Sequence, residues 1–528
     1  MTPQDALAQE WDVIVIGAGM GGGMITRSLA EQGLRVLVLE RGPEGYAHEQ
    51  QALNVKITDP HARHIRSFWP TKVHGTVDGR PSAFFAALGS GLGGSSVFYA
   101  GTLERPERHD LEPTDQMPHP TGGWPVGYDA FVPYFAKAEE LLHISGTHDP
   151  LSTEPPTQLK EPPKIDANEA KMLDDLAASG LHPYRQHLAL RNLPGCMSCL
   201  GRKCPRNCKM DGRSAGIVPA LATGNAHVLT ECTATQIRFE AGQVTGVDVS
   251  YSGAETTLKA RTYVLAAGAL HSPRLLLKSQ DAGGRVCANS SDWVGRGLMF
   301  HLNEMFALWP KRDGRFSGAT KAISSRDLYA VQGSRMGTIQ SMGLPASFGN
   351  IAAYLAGRLD QSPLRRLGSL RYLTNIVALI AARIMGEAKV FVGIVEDLPY
   401  PENRVLLHDA DPDMPCFTYT LKPELLKRRQ LFRQTIKKRF RGFRPMLMGL
   451  APQLNYGHPC GTLRFGSDSK SSVFDADCRS HDLDNLYIAD ASFFPTSMGV
   501  NPSLMIAANA LRVGDIIATR AKSEINVE

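Results

Sequence analysis

The longest unbroken run of β-branched residues near the start of the chain is Asp12-Val13-Ile14-Val15-Ile16, and no polar position alternates within it. That pattern belongs to a strand buried on both faces. It stops at Gly17-Ala18-Gly19-Met20-Gly21-Gly22, and an amphipathic stretch from Met24 to Gln32 then predicts a helix. Gly33 follows as a C′ glycine would, and a second apolar strand, Arg35 to Leu39, ends on Glu40-Arg41. Strand, glycine turn, helix and strand thus occur in order within about thirty residues, the size of one βαβ-type unit.

Downstream the pattern is patchier. Residues 43–84 are polar, rich in His and Pro and without clear period, which predicts excursions over a surface. A second glycine-dense segment holds Gly89, Gly91, Gly93 and Gly94, then Ser95 and Ser96. Helical spacing marks Tyr128 to Leu142 and Asp211 to Ala222. Strand patterns follow at 227–230, 235–239, 244–249 and 262–269, the last closing on Ala266-Ala267-Gly268. Pro273 stands near the start of a helix over 274–279. Residues 306–454 are the least regular block. Two helices are predicted in it, an apolar one over Leu373–Met385 and a strongly basic one over Leu425–Phe443. A final strand, Asn485–Ala489, ends on Asp490.

The 528 residues are too many for one core and predict two or three domains. An apolar fraction of 43% with 21% charged residues is that of a soluble globular protein. The net charge of +5 is small for this length, and with no reader motif it gives no reason to expect nucleic acid. The first ten residues are polar and lack a signal-peptide pattern, so the expected location is cytoplasmic, with export alongside a signal-bearing partner as the alternative.

The N-terminal unit carries a specific chemistry. Gly17 permits a tight turn, Gly19 lets backbone approach a pyrophosphate, and Gly22 lets helix and strand pack closely. A helix N-terminus offers free N–H groups and a positive dipole end to the phosphates. Glu40 stands near the ~20 residues downstream at which a carboxylate meets a ribose hydroxyl. A dinucleotide site is therefore expected at Gly17, Gly19, Met20, Gly22, Glu40 and Arg41.

Four blocks in order then resemble the glucose–methanol–choline (GMC) flavoprotein oxidoreductases. They are GAGMGG with Glu40, GLGGSS at 91–96, AAGALHSPRLLLKS at 266–279, and HPCGTLRFG at 458–466 with NLYIADASFFPTSMGVNPSLMIAANAL at 485–511. The resemblance implies an α/β fold: a Rossmann-like FAD-binding domain with an inserted α+β substrate domain that contains an antiparallel sheet. On this reading 1–48, 85–110, 210–305 and 455–528 build the discontinuous FAD domain, and 49–84, 111–209 and 306–454 the substrate domain. It implies FAD as the dinucleotide. The further cofactor contacts it implies are Gly93, Gly94, Ser95, Ser96, Cys232, Ala234, Ala267, Asp490, Ala491, Asn501 and Pro502. Relatives with covalent flavin have a His shortly after the Gly-Gly-Ser segment; here Val97-Phe98-Tyr99 follows, so FAD is expected to be non-covalent.

The resemblance also places His458 and Asn501 at the flavin. Alcohol oxidation needs a base for the hydroxyl proton while hydride leaves to the flavin, and imidazole has the matching proton affinity. An amide at Asn501 can hold the oxygen without titrating. The expected reaction is oxidation of a primary or secondary alcohol to an aldehyde or ketone, with His458 as base and quinone, cytochrome or O2 as final acceptor. His301, in GRGLMFHLN, reads as structural. The alternatives are a lyase or decarboxylase on the same scaffold and a non-catalytic electron-relay subunit.

Nine cysteines include a run, Cys196, Cys199, Cys204 and Cys208. Three readings stay open: an iron–sulfur cluster, disulfides or free thiols, and zinc. A cluster would give electrons an onward route and favours dehydrogenase over oxidase. In the basic helix, Leu426, Phe432, Ile436 and Phe440 interleave with the charges, so it either packs its stripe on the substrate domain or docks on anionic lipid. The apolar helix follows Arg365, Arg366 and Arg371 and falls short of the ~20 residues that span a bilayer. Its apolarity favours a hydrophobic alcohol, sterol or terpenoid over a sugar as substrate.

Overall fold

Apolar runs from the beginning, middle and end of the chain come together in one parallel sheet. The computed structural model describes residues 2–45, 59–115, 117–155, 158–196, 198–310, 321–343, 351–352, 355, 359, 370–385 and 388–525. Arg365 and Arg366 lie outside the described residues. The elements that position the site are, in chain order, β1 (Val13–Ile16), α1 (Met20–Glu31), β2 (Val36–Leu39), β3 (Ala226–Leu229), β4 (Thr262–Leu265), β5 (Leu302–Leu308), β6 (Ile339–Ser341), α2 (Leu370–Met385), β7 (Lys389–Val395), α3 (Pro423–Arg439), β8 (Leu486–Ile488) and α4 (Ser503–Ile525).

The parallel sheet has the order β8-β4-β1-β2-β3. Val13 faces Val36 on one side and Thr262 on the other, and Tyr263 faces Leu486. Every residue of β1 and β2 is buried, as expected for strands covered on both faces. α1 starts at Met20, four residues earlier than its apolar period predicts. Glycine is a poor helix former, so sequence pattern excludes Gly21 to Gly23; packing overrides that preference. A Cβ on Gly22 would lie 1.9 Å from the Gly17 carbonyl oxygen, so only glycine lets the helix sit this close.

A six-stranded antiparallel sheet stands beside it, in the order Met446–Leu447, β5, β7, β6, Ile323–Ser325, Pro183–Arg185. Alternation along its strands divides two faces. Phe306, Leu308, Phe391 and Val395 face Leu425, Phe432 and Ile436 of α3. Met305, Ala307 and Val390 on the other face meet Ala378 and Met385 of α2. The stripe of the basic helix is therefore spent inside the fold, with Leu425 rather than Leu426 as its first buried member. Residues 59–84 are also less superficial than their polarity predicts. Phe68 and Trp69 are buried, and Val73–Val77 pairs with Arg80–Phe84 and with Cys416–Tyr419.

Candidate active site

The two sheets enclose a cavity of about 510 Å³ that runs from the first glycine turn to His458. Of the expected site residues, Gly17, Gly19, Met20, Glu40, Arg41, Gly94, Ser95, Ser96, Cys232, Ala234, Ala267, Asp490, Ala491, His458, Asn501 and Pro502 line it. Gly22 and Gly93 do not. A Cβ on Gly93 would strike Val97 and Arg213, so its part, like that of Gly22, is to permit close packing.

Local chemistry explains the dinucleotide end. Gly17 adopts φ +106°, a left-handed conformation that favours glycine, and this turns the chain from β1 into α1. Gly19 caps α1 without any side-chain bond, leaving its N-terminal N–H groups toward the cavity. The Glu40 carboxylate accepts the Ala18 N–H at 3.0 Å and the Gly42 N–H at 2.8 Å. Burial pushes its pKa up, while those two N–H groups pull it down. Asp490 accepts from the Gly268 N–H at 2.7 Å, the Ser272 hydroxyl at 2.5 Å and the Ser492 N–H at 2.8 Å. It braces the two backbone edges of the cavity from behind.

Several buried polar atoms on the wall have no hydrogen-bond partner among the described residues: Nη1 of Arg41, Nε of Arg274, both ring nitrogens of His271 and Oδ1 of Asn303. The Arg41 guanidinium lies 4.1 Å from the Trp69 ring centroid, and Trp69 packs on His271. Buried polar groups are normally satisfied. These orphans, the capless helix and the glycine cradle fit a large polar, anionic ligand such as a dinucleotide.

At the other end His458 and His301, 157 residues apart, are joined by a 2.9 Å contact between their Nδ1 atoms. His301 Nε2 lies 3.0 Å from the carbonyl oxygens of both Ser497 and Met498. Carbonyls only accept, so the His301 hydrogen sits on Nε2 and its Nδ1 offers a lone pair. His458 must then donate from Nδ1, which leaves its Nε2 lone pair free. Asn455 Nδ2 lies 3.1 Å from the same Nδ1, and the Gly457 N–H fixes the amide orientation through Oδ1. The carbonyl pair decides between the two: His458 Nδ1 donates to His301 rather than accepting from the Asn455 amide. Burial first, then His301 and the Lys321 charge, holds the His458 imidazole well below the usual histidine range. Asp397 accepts the Phe300 N–H at 3.0 Å, and its own N–H bonds the Ser497 hydroxyl at 2.7 Å, so it ties both ends of this network together.

His301, read from the sequence as structural, is buried and is also the hydrogen-bond partner of His458. Its signal was weak, since a buried histidine in GRGLMFHLN has no local mark of a partner elsewhere in the chain. Lys321 was also missed. Its ammonium reaches the cavity and makes no hydrogen bond or ion pair with a described residue, and burial brings its pKa down to about 7. Asn303, Gln340, Ser341, Asn455, Met342, Val392 and Ile394 line the same cavity. The apolar helix α2 contributes nothing to this wall. The Asn501 side chain bonds to no described residue, so both ends of its amide are available to a ligand.

The cysteine run lies beside the cavity, which Leu200 and Gly201 line. All four are free thiols, and they associate in two pairs, with a hydrogen bond between the Cys199 and Cys204 thiols and another between those of Cys196 and Cys208. Cys204 Sγ accepts the N–H of Cys208 at 3.2 Å. Lys209, buried, donates to the carbonyls of Val97, Cys199 and Arg202 and fastens the loop to the cavity wall. Among the described residues no group of three or more His, Cys, Asp or Glu side chains is arranged to hold a metal ion. The iron–sulfur and zinc readings therefore find no matching ligand geometry: spacing in sequence brought the thiols near, but the loop turns them toward one another in twos.

Comparison with known proteins agrees with this architecture. The 6'''-hydroxyparomomycin C oxidase of Streptomyces lividus is 29% identical over 97% of this chain and 92% of its own length. The 2-methyl-1,2-propanediol dehydrogenase of Mycolicibacterium austroafricanum is 27% identical over 97% of this chain and 96% of its own. Among solved structures, a formate oxidase of Aspergillus oryzae, studied for modification of its FAD, superposes with a TM-score of 0.67 at 16% identity, covering 98% of this chain and 99% of that one. The N-terminal and C-terminal models of the GMC oxidoreductases match residues 12–303 and 399–510, and the chain belongs to the GMC oxidoreductase family.

Proposed function

We propose that this enzyme oxidises the CH–OH group of a small polar alcohol to an aldehyde or ketone, with His458 as the base. The observation that supports this most is the His301–His458 pair, because the Ser497 and Met498 carbonyls leave the free lone pair of His458 on Nε2. The family implies FAD, which when bound takes up the hydride. Gly17, Gly19, Met20, Glu40 and Arg41 would hold it with Gly94, Ser95, Ser96, Cys232, Ala234, Ala267, Ala491 and Pro502, non-covalently, with Asp490 bracing that wall.

His458 Nε2 takes the hydroxyl proton, and the His301 Nδ1 lone pair steadies the imidazole as it becomes cationic. Its low proton affinity keeps the base free at neutral pH. Asn501 donates to the alcohol oxygen and orients the carbon. The polar wall of Asn303, Gln340 and Asn455 suits a molecule with further hydroxyl or carbonyl groups better than a sterol or terpenoid. Lys321 opposes a cationic alcohol.

Preference for a dehydrogenase rested on the cysteines as an electron route, and their pairing in twos withdraws that support. Named relatives include both an oxidase and a dehydrogenase. The domain division stands as part of this proposal: 1–48, 85–110, 210–305 and 455–528 cradle FAD, and the remaining segments supply the substrate wall. Anaerobic flavin spectra before and after a panel of alcohols test the reading. Bleaching by one class, lost in His458→Ala at full FAD content, is expected. If no alcohol bleaches the flavin, or if His458→Ala bleaches normally, the assignment is refuted.

A further inference from the structure

Helix α2 leaves its apolar face in water. Leu373, Ile376, Val377, Leu379, Ile380 and Ile384 are each between 52% and 64% exposed. At the helical period, five of these, all but Leu379, fall on one side, whereas Ala378 and Met385 turn inward onto Ala307 and Val390. The other exposed large apolar residues of the described chain, such as Leu7, Leu151 and Leu450, are scattered. A concentrated patch of this kind marks an interaction surface.

Charge selects the partner. Between Asp360 and Glu387 the chain holds Arg365, Arg366, Arg371 and Arg383 and no acidic residue. In sequence the stretch is net positive even with Asp360 and Glu387 at its two ends, and an apolar helix face in such a stretch suits the headgroup–acyl boundary of an anionic membrane. At 16 residues α2 is too short to cross a bilayer, and no described helix is long and apolar enough to do so. α3 cannot serve instead, because its stripe is buried.

Location adds a consequence. α2 covers Met305, Ala307 and Val390, and the same sheet face continues into the cavity as Asn303, Val392 and Ile394. Met342 belongs to both, lining the cavity and packing in the α2 cluster. We propose that α2 docks the enzyme on an anionic lipid surface, its Leu373–Ile384 face inserted and the cavity alongside the bilayer. The docking does not depend on the alcohol-oxidising reading.

The test is co-sedimentation of the full-length, FAD-loaded protein with vesicles of phosphatidylcholine alone or mixed with phosphatidylglycerol. Binding to the anionic vesicles, weakened by salt, is expected. The Ile376→Glu/Ile380→Glu variant should partition ~10-fold or more weaker, while Leu450→Glu on another surface binds as wild type does. These positions are exposed, so FAD content should not change and will report folding. Absence of vesicle binding, equal binding to both vesicle types, or binding that survives the double substitution overturns the proposal. So does a dimer in sedimentation equilibrium that the double variant abolishes while the wild type ignores vesicles.

Discussion

Replacing His301 by alanine tests whether the proton inventory at His458 is set by its neighbour. The substitution removes the acceptor 2.9 Å from His458 Nδ1 and the donor shared by the Ser497 and Met498 carbonyls. Asn455 Nδ2, 3.1 Å away, then becomes the main partner of His458 Nδ1, and it can only donate. It stabilises the tautomer with hydrogen on Nε2, in which the base is blocked. The Asn455 bond is available to that tautomer with or without His301, so the substitution removes one hydrogen bond from the productive tautomer and shifts the balance by about 1–1.5 kcal/mol. That corresponds to a ~5- to ~13-fold shift of the tautomer ratio away from the productive form. The assay is anaerobic stopped-flow reduction of the flavin at saturating alcohol. FAD content should hold, since His301 lies away from the glycine turn, and thermal stability should fall because two buried carbonyls lose their donor. Reduction at the wild-type rate with full FAD would refute the tautomer argument.

Three further outcomes follow from the same geometry. In Lys321→Met the loss of a cation beside His458 should raise the pKa of the base, so the acidic limb of the kcat/KM profile moves to higher pH; because Lys321 titrates at about 7, the difference from wild type should be largest below neutrality. Glu40→Gln replaces a charged acceptor of the Ala18 and Gly42 N–H groups and should weaken FAD binding ~10- to ~100-fold, read by titration of apoprotein with FAD. The purified protein should carry no stoichiometric iron or acid-labile sulfide, and mass mapping after mild oxidation should give Cys196–Cys208 and Cys199–Cys204 peptides; cross-pairing, or a stoichiometric cluster, would contradict the paired loop.

Much of this molecule is legible without coordinates. Val13–Ile16, the Gly17 turn and Glu40 announce a dinucleotide cradle because each demand is local: a strand buried on both faces needs a continuous apolar run, a left-handed turn needs glycine, and a helix cap needs no distant partner. The four ordered blocks name the family for the same reason, and they carry His458 and Asn501 with them. The start of α1 was not legible, since propensity excludes Gly21 to Gly23 and only the backbone of neighbouring segments shows why glycine is required there. Nor was the His301–His458 pair, whose 157-residue separation leaves no periodic trace. The basic helix α3 packs its stripe inward, one of the two readings its pattern left open, while nothing in the pattern of the apolar helix α2 told that its apolar face meets water. Hydrophobic period tells which side of a helix is apolar. Whether that side meets a sheet or solvent, and which lone pair an imidazole turns to its substrate, depends on groups that only the folded chain brings within a hydrogen bond's length.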